Sequence, residues 1–304
     1  MKKPPIKTWS TPPGETPRSP IPCALCGGHS FRPRLSCEGF SYVRCSRCGL
    51  VQMNPQPLPR EVLGRYRESY GEDYLAYELA NEGAFLRLQE LALSDAGFDE
   101  LEAALLKRGV RGVPNPTAGV RGQSPRLMDI GCATGALMER LRDRGWETVG
   151  VEVSTAQADY ARREWGLDVR SLPLEENRFP PERFDLVLAS HLIEHLNDPA
   201  SLVREVFRIL APGGRFLVTT PNIAGLQARL FRGRWRSAIF DHLYLFSVKT
   251  LSRLLIREGF VPERTVTWGG LAAGAAPPAL KAWADRAAKK HGWGDVMLIR
   301  ALKP

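Results

Sequence analysis

From Arg126 to the C-terminus, short apolar runs alternate with stretches whose apolar residues recur every three or four positions. The first pattern predicts strands and the second helices. Leu127, Met128 and Ile130 form one apolar run, with Asp129 near its end. Leu137, Met138 and Leu141 follow at helical spacing, with Arg140, Arg142 and Arg144 towards the helix C-terminus, where cations suit the dipole. Further strands are predicted over Thr148–Val153, Leu167–Leu172, Phe184–Ser190, Arg215–Thr220, Val261–Trp268 and Asp295–Ala301. Helices are predicted over Ala156–Trp165, Ala200–Leu210 and Thr250–Glu258. Phe184–Ser190 is almost continuously apolar, as expected of a strand buried on both faces. Seven strands separated by helices predict an α/β fold, a Rossmann-like and mostly parallel sheet, over residues 126–304.

The N-terminal part reads differently. Residues 1–20 are dense in Pro, Ser and Thr and are expected to be a disordered tail. Residues 21–57 carry two cysteine pairs and a strand-like alternation at Phe40, Tyr42 and Val43. Residues 58–108 look helical, at Arg60–Tyr66 and in an amphipathic run from Tyr74 to Leu93. Tyr66, Tyr70, Tyr74 and Tyr77 recur at helical spacing, either as packing or as the lining of a substrate mouth. Residues 109–125 are a Gly/Pro linker that marks a domain boundary.

Composition narrows the class. With 304 residues, 43% of them hydrophobic, the chain has room for one α/β domain and a small module. Lys and Arg number 42 against 33 Asp and Glu, a net charge of +9 that favours anionic partners. No apolar run reaches the roughly 18 residues of a membrane span. The first residues, MKKPPIKTWS, lack the apolar stretch of a signal peptide. A cytoplasmic location and no membrane partner are therefore expected.

In such a compartment CxxC pairs point to metal rather than to disulfides. Cys23 and Cys26, then Cys45 and Cys48, are separated by 18 residues, the spacing of a four-thiolate zinc ribbon. A closed set of four thiolates leaves no open coordination position, so the zinc is expected to be structural. Cys37 is spare. The module is a folding staple, or a binding surface bearing Arg32, Arg34, Arg44 and Arg47.

The turn after the first strand of the α/β region holds Gly131, Ala133 and Gly135, small residues that let a ligand lie against the backbone. Two readings compete. A dinucleotide site requires GxGxxG, which this turn matches poorly. S-adenosylmethionine requires no pyrophosphate cradle; its charged tail and sulfonium suit Asp129, and its ribose hydroxyls suit Glu152. After the fourth strand of that region come Ser190, His191, Glu194 and His195, and Asp241-His242 lies further on. If His191–His195 opens a helix, His191, Glu194 and His195 share a face. Three readings stay open: packing beneath the cofactor, a general base (His242 first, His191 second), or a divalent metal on His191, Glu194, His195 and His242, with Zn, Mn or Fe preferred over Mg. Gln227–Arg236 interleaves four arginines with Phe231 and Trp235. It is either a solvated lid or the cover of a pocket for an anionic acceptor.

Asp129-Ile130-Gly131-Cys132-Ala133-Thr134-Gly135, Gly150-Val151-Glu152, Phe184-Asp185-Leu186-Val187 and Leu210-Ala211-Pro212-Gly213-Gly214 together resemble the class I S-adenosylmethionine-dependent methyltransferases. The cysteine module with VQMNPQP and YGEDYL is similar to a bacterial subgroup carrying an N-terminal zinc ribbon. The resemblance implies a seven-stranded sheet with an antiparallel last strand. It implies S-adenosylmethionine contacts at Asp129, Gly131, Ala133, Gly135 and Glu152, with Leu172 beside the adenine and Ser190 at the end of the fourth strand. It also implies transfer to a small-molecule acceptor such as a sugar, a polysaccharide precursor or a secondary metabolite. The alternatives are an RNA methyltransferase that uses the ribbon for RNA, and a non-catalytic zinc-containing partner protein. Ala133 departs from the family's usual glycine, and no acidic residue stands clearly where many members hold the adenine amine.

Overall fold

The computed structural model describes residues 17–69, 71–110, 124–271 and 277–304. Tyr70, most of the expected tail and all but the ends of the expected linker lie outside the described residues. Where the tail is described it is ordered: β1 (Arg18–Ser19) pairs antiparallel with β5 (Gln56–Pro57). Arg18 also lies over the Phe240 ring, 5.3 Å from its centroid, so that contact and the backbone pairing hold this segment.

β2 (Phe31–Cys37), β3 (Phe40–Cys45) and β4 (Val51–Met53) form an antiparallel sheet around the cysteine pairs. Its fourth strand, Tyr244–Leu245, comes from the far end of the chain and pairs with β4. Fully buried Tyr42 explains much of this union. Its hydroxyl sits 2.7 Å from the carbonyl oxygens of both Ile239 and His242. The Met53 amide donates to the Leu243 carbonyl at 2.8 Å. The apolar residues of the ribbon and of the α/β sheet therefore join one core rather than two.

α1 (Pro59–Gly64) starts with proline at its first position, where no amide donor is needed, and passes into a π-helical turn over Arg65–Ser69. α2 (Gly71–Asp95) and α3 (Phe98–Val110) follow. Phe98 stacks on Trp146 at 5.8 Å, and the Trp146 indole donates to Glu102 at 2.8 Å, tying α3 to the main domain.

The large sheet contains β6 (Arg126–Ile130), β7 (Glu147–Val151), β8 (Asp168–Arg170), β9 (Phe184–Ser190), β10 (Leu210–Pro221), β12 (Val261–Trp268) and β13 (Val296–Leu302); the pair Tyr244–Leu245 is β11. Its order is β12-β13-β10-β9-β6-β7-β8. β6 to β10 pair parallel with one another, and β13 inserts antiparallel between β10 and β12. α4 (Ala136–Asp143), α5 (Thr155–Trp165), α6 (Pro199–Ile209), α7 (Leu226–Phe231), α8 (Val248–Arg257) and α9 (Pro278–His291) connect and cover the strands.

Alternation along the strands separates two layers. Met128, Val187, Val218 and Ile299 belong to the core shared with the ribbon. Leu127, Leu186, Leu217 and Leu298 belong to the other layer, with Ala92, Phe98 and Trp146. Gly150 on β7 shows how close the packing is near the first turn. A Cβ there would stand 2.7 Å from the Cys132 sulfur and 2.8 Å from that of Met138. Buried Cys132 is a packed side chain, its thiol pushed well up by burial.

Candidate functional site

The turn between β6 and α4 is built from left-handed residues: Gly131, Ala133 and Gly135 have φ of 75°, 50° and 79°. At Gly135 a side chain would strike Leu167, only 2.7 Å from the missing Cβ. Ala133 adopts this conformation without the freedom of glycine, and Glu152 holds it there. One Glu152 oxygen accepts from the Ala133 amide at 3.1 Å, and the other from the Ser154 amide at 2.8 Å. Asp129 is 4% exposed and lines the adjoining cleft, with no hydrogen-bond donor to its carboxylate among the described residues. Burial, and then the charge of Glu152, push its carboxyl up to about 7. Burial raises Glu152 too, while amide donors from Ser154, Ala133 and Val153 oppose the shift. Two buried carboxylates side by side make a place for a cation.

The cleft has a volume of about 640 Å³. α2 contributes Tyr74, Tyr77, Glu78 and Phe85 to one wall; Asp129, Ala133, Ser190, His191, Arg236 and His242 stand among the residues of the others. Burial pushes Glu78 up to about 7, against a hydrogen bond from Tyr74 and with the charges of Glu152 and Glu82 adding to the rise. Gly131, Gly135, Glu152 and Leu172 are not on these walls; Leu172 lies beyond the end of β8, 46% exposed. Tyr66 also turns elsewhere, towards the histidines.

His191, Glu194 and His195 do not open an α-helix. His191 has φ of 52°, and a single 3-10 turn spans Ile193–His195. The shared helical face therefore does not form, but loop geometry gathers most of the same groups. Ligand atoms of Glu194, His195 and His242 lie within 4.8 Å of one another. Glu194 is fully buried; one oxygen faces His191 Nδ1 at 3.2 Å and the other accepts from Thr220 Oγ1 at 2.9 Å. Burial opposes its ionisation, but the hydrogen bond from His191 and then the neighbouring His195 and His191 rings outweigh it and hold Glu194 at about 2. His242 is pulled down to about 3 by burial and then by neighbouring His195, so it is neutral near pH 7.

Buried His242 and half-buried His195 are both held at Nδ1 from behind. His242 Nδ1 lies 2.8 Å from the Ser237 carbonyl. His195 Nδ1 lies 3.0 Å from the Asp241 carbonyl and 2.6 Å from the Tyr66 hydroxyl. A carbonyl can only accept, so His242 Nδ1 carries the proton and its Nε2 keeps its lone pair; at His195 the Asp241 carbonyl favours the same tautomer, while the Tyr66 hydroxyl can accept from Nδ1 or donate to it. The rings meet edge to face, centroids 4.7 Å apart. Imidazole nitrogens oriented in this way, beside a carboxylate, are the donor set of a transition metal. Arg65 completes the support through a 2.6 Å ion pair with Asp241.

In the ribbon, the sulfurs of Cys23, Cys26, Cys45 and Cys48 also lie within 4.8 Å of one another. Cys23 and Cys48 are 3.3 Å apart, Cys26 and Cys45 3.5 Å. This is the chemistry of a tetrahedral zinc site. Cys37 stands apart, against the carbonyls of Gly233 and Ala238.

In the lid, Trp235 is buried, with its indole donating to Asp295 at 2.5 Å, and Arg236 pairs with the same carboxylate at 2.6 Å. Arg229, Arg232 and Arg234 stay exposed. Sequence reasoning missed Thr220, Glu78 and the roles of Tyr42 and Tyr66. Only Tyr66 left a signal, as part of the tyrosine repeat.

A family described as a methyltransferase domain matches residues 98–264. The ubiquinone biosynthesis O-methyltransferase of Pseudomonas aeruginosa is 32% identical over 111 residues, 34% of this chain and 47% of the relative. A probable S-adenosylmethionine-dependent methyltransferase of Mycolicibacterium smegmatis is 31% identical over 141 residues, 46% of this chain and 53% of the relative. The chain thus spans about half the length of the curated relatives it matches. Among solved structures, a possible histamine N-methyltransferase of Thermotoga maritima is 22% identical, with a TM-score of 0.48, over 73% of this chain and 97% of that one.

Proposed function

The chain belongs to the methyltransferase-domain family, and from that premise we propose that it transfers a methyl group from S-adenosylmethionine to a small-molecule acceptor in the cleft beneath α2. The observation that carries this reading is Asp129: a buried carboxylate that faces the cleft, has no protein donor among the described residues and stands beside Glu152. Such a pair suits a ligand with ammonium and sulfonium charges and ribose hydroxyls. S-adenosylmethionine, when bound, supplies an electrophilic methyl group on that sulfonium. Gly131, Ala133 and Gly135 keep the backbone low enough for the cofactor to lie against it, and Glu152 both orders the turn and accepts hydroxyl hydrogens. α2 forms one wall of the cleft.

The curated relatives whose names specify an O-methyltransferase support an oxygen acceptor. Such an acceptor must lose its proton. His191 is better placed for this than His242. Glu194 accepts a hydrogen bond from His191 Nδ1–H, which leaves Nε2 as the acceptor on a side chain that lines the cleft and is 47% exposed. His242 is buried and neutral, and its Nε2 belongs with His195 and Glu194. Glu194, His195 and His242 would hold a divalent ion such as zinc or manganese, which would lower the pKa of an acceptor hydroxyl. Cys23, Cys26, Cys45 and Cys48 would hold a structural zinc.

Two measurements test this reading. Labelled methyl groups from S-adenosylmethionine should pass into a small-molecule extract; transfer into total RNA alone would overturn the acceptor class. The Glu194→Gln variant should lose divalent-metal affinity by at least the roughly 10–100-fold expected from disturbing outer-shell partners alone. Metal titration with ribbon zinc counted separately checks it, and an unchanged second site in the variant would remove the metal from the account.

A further inference from the structure

Arginines that the reaction cleft does not use gather where the ribbon meets the lid. Arg34 is a β-bulge residue: the register of β2 on β3 shifts between Pro33 and Leu35. A bulge re-aims its side chain. Arg34 is partly buried, and its guanidinium lies within reach of the charges of Arg44, Arg232 and Arg229. Burial, and then those three cations, lower its affinity for its proton. Arg44 faces Arg32 across the β2–β3 ladder, a like-charge pairing that costs stability. None of Arg34, Arg44, Arg229 and Arg232 has a carboxylate within 4.0 Å among the described residues, whereas Arg236, in the same lid, is paired to Asp295. Arg229 leans on Trp293 at 6.0 Å, which leaves its donors available.

The cluster borders an open groove of about 690 Å³ between the ribbon and the lid. Ser36, Cys37 and Glu38 form one side; Leu230, Phe231 and Arg232 stand on the other. The two sides are closely fitted, since a Cβ on Gly233 would stand 2.4 Å from the Ser36 carbonyl oxygen. Arg232 belongs to both the cluster and the groove.

From this placement we infer that the ribbon–lid junction binds a diphosphate-bearing small molecule, its phosphates on Arg34, Arg44, Arg229 and Arg232 and its organic part along Leu230 and Phe231. Planar guanidinium forks match phosphate oxygens in pairs. A compact dianion satisfies charges grouped around one residue, whereas a nucleic-acid strand needs them in a row. Glu38, exposed in the groove, disfavours a second phosphate there. No residue that lines the groove also lines the reaction cleft, so the junction is a second binding site, independent of the acceptor proposed above.

Titration calorimetry on the zinc-loaded full chain tests it, with uridine diphosphate, inorganic pyrophosphate and a single-stranded RNA oligomer as probes. Uridine diphosphate should bind, more tightly than pyrophosphate, and added salt should weaken it. Arg34→Ala with Arg232→Ala should weaken it roughly 10-fold or more, while S-adenosylmethionine affinity stays unchanged. Arg34→Lys should fall between, because charge remains and the fork is lost. No diphosphate binding by a chain that still binds S-adenosylmethionine would overturn the inference and spare the methyltransferase reading. RNA bound far more tightly than uridine diphosphate through the same arginines would also overturn it.

Discussion

Replacing Cys45 with serine, or stripping the zinc proposed for the ribbon with a chelator, is expected to unfold the ribbon and disable the reaction cleft together. Cys45 is 1% exposed and belongs to the core that runs from the ribbon into the sheet, along with Tyr42, Met53, Val187 and Phe216. Zinc binding in small four-ligand modules is worth about 10–16 kcal/mol of apparent folding free energy, comparable to the whole stability of a typical domain. The damage cannot stay local. Tyr42 holds the carbonyls of Ile239 and His242, and β4 holds β11 directly after His242. Arg253 and Arg257 of α8 donate to the carbonyls of Cys48 and Leu25, at 3.1 and 2.6 Å. Loss of even about 4 kcal/mol would lower the melting temperature by roughly 8–16 °C for a chain of this class. Differential scanning calorimetry beside zinc analysis checks this. A Cys45→Ser protein with the melting temperature of the parent would mean that the ribbon is an appendage.

The second large effect is expected at Glu152. Glu152→Ala removes the acceptor for two backbone amides and, on the cofactor reading proposed above, for ribose hydroxyls. Hydrogen bonds to a charged group are worth about 1.5–3 kcal/mol each, so losing two weakens S-adenosylmethionine roughly 100-fold or more. Binding should also depend on pH. Asp129 is pushed up to about 7, so its cation-attracting form gains population as pH rises through neutrality. Affinity should therefore increase from pH 6 to pH 8, and Asp129→Asn should flatten that dependence.

The turn proposed for the methyl donor was legible in sequence as a strand–turn–helix unit because its residues are contiguous. Small residues, the strand before them and Glu152 at the end of the next strand all lie within one βαβ unit. The sheet was legible for the same reason, and only its boundaries moved. β10, for example, begins at Leu210, because Pro212-Gly213-Gly214 lies inside an irregular start of the strand rather than before it. The histidine site was half legible. Its residues were named, but a helical turn was the wrong device: the left-handed His191 and a short 3-10 turn bring Glu194 and His195 to a histidine 47 residues beyond. The union of ribbon and lid was not legible at all. β11 is two residues long, and the bonds from Tyr42 to two carbonyl oxygens span about 200 positions. Contacts to backbone across such separations leave no periodicity to read.

One titration tests the cofactor site most directly. S-adenosylmethionine added to the zinc-loaded full chain in a calorimeter should bind once per chain, and the Glu152→Ala protein, melting cooperatively, should bind at least about 100-fold more weakly. A folded, zinc-loaded chain that takes up no S-adenosylmethionine, or one whose affinity is indifferent to Glu152, would contradict the cofactor site described here.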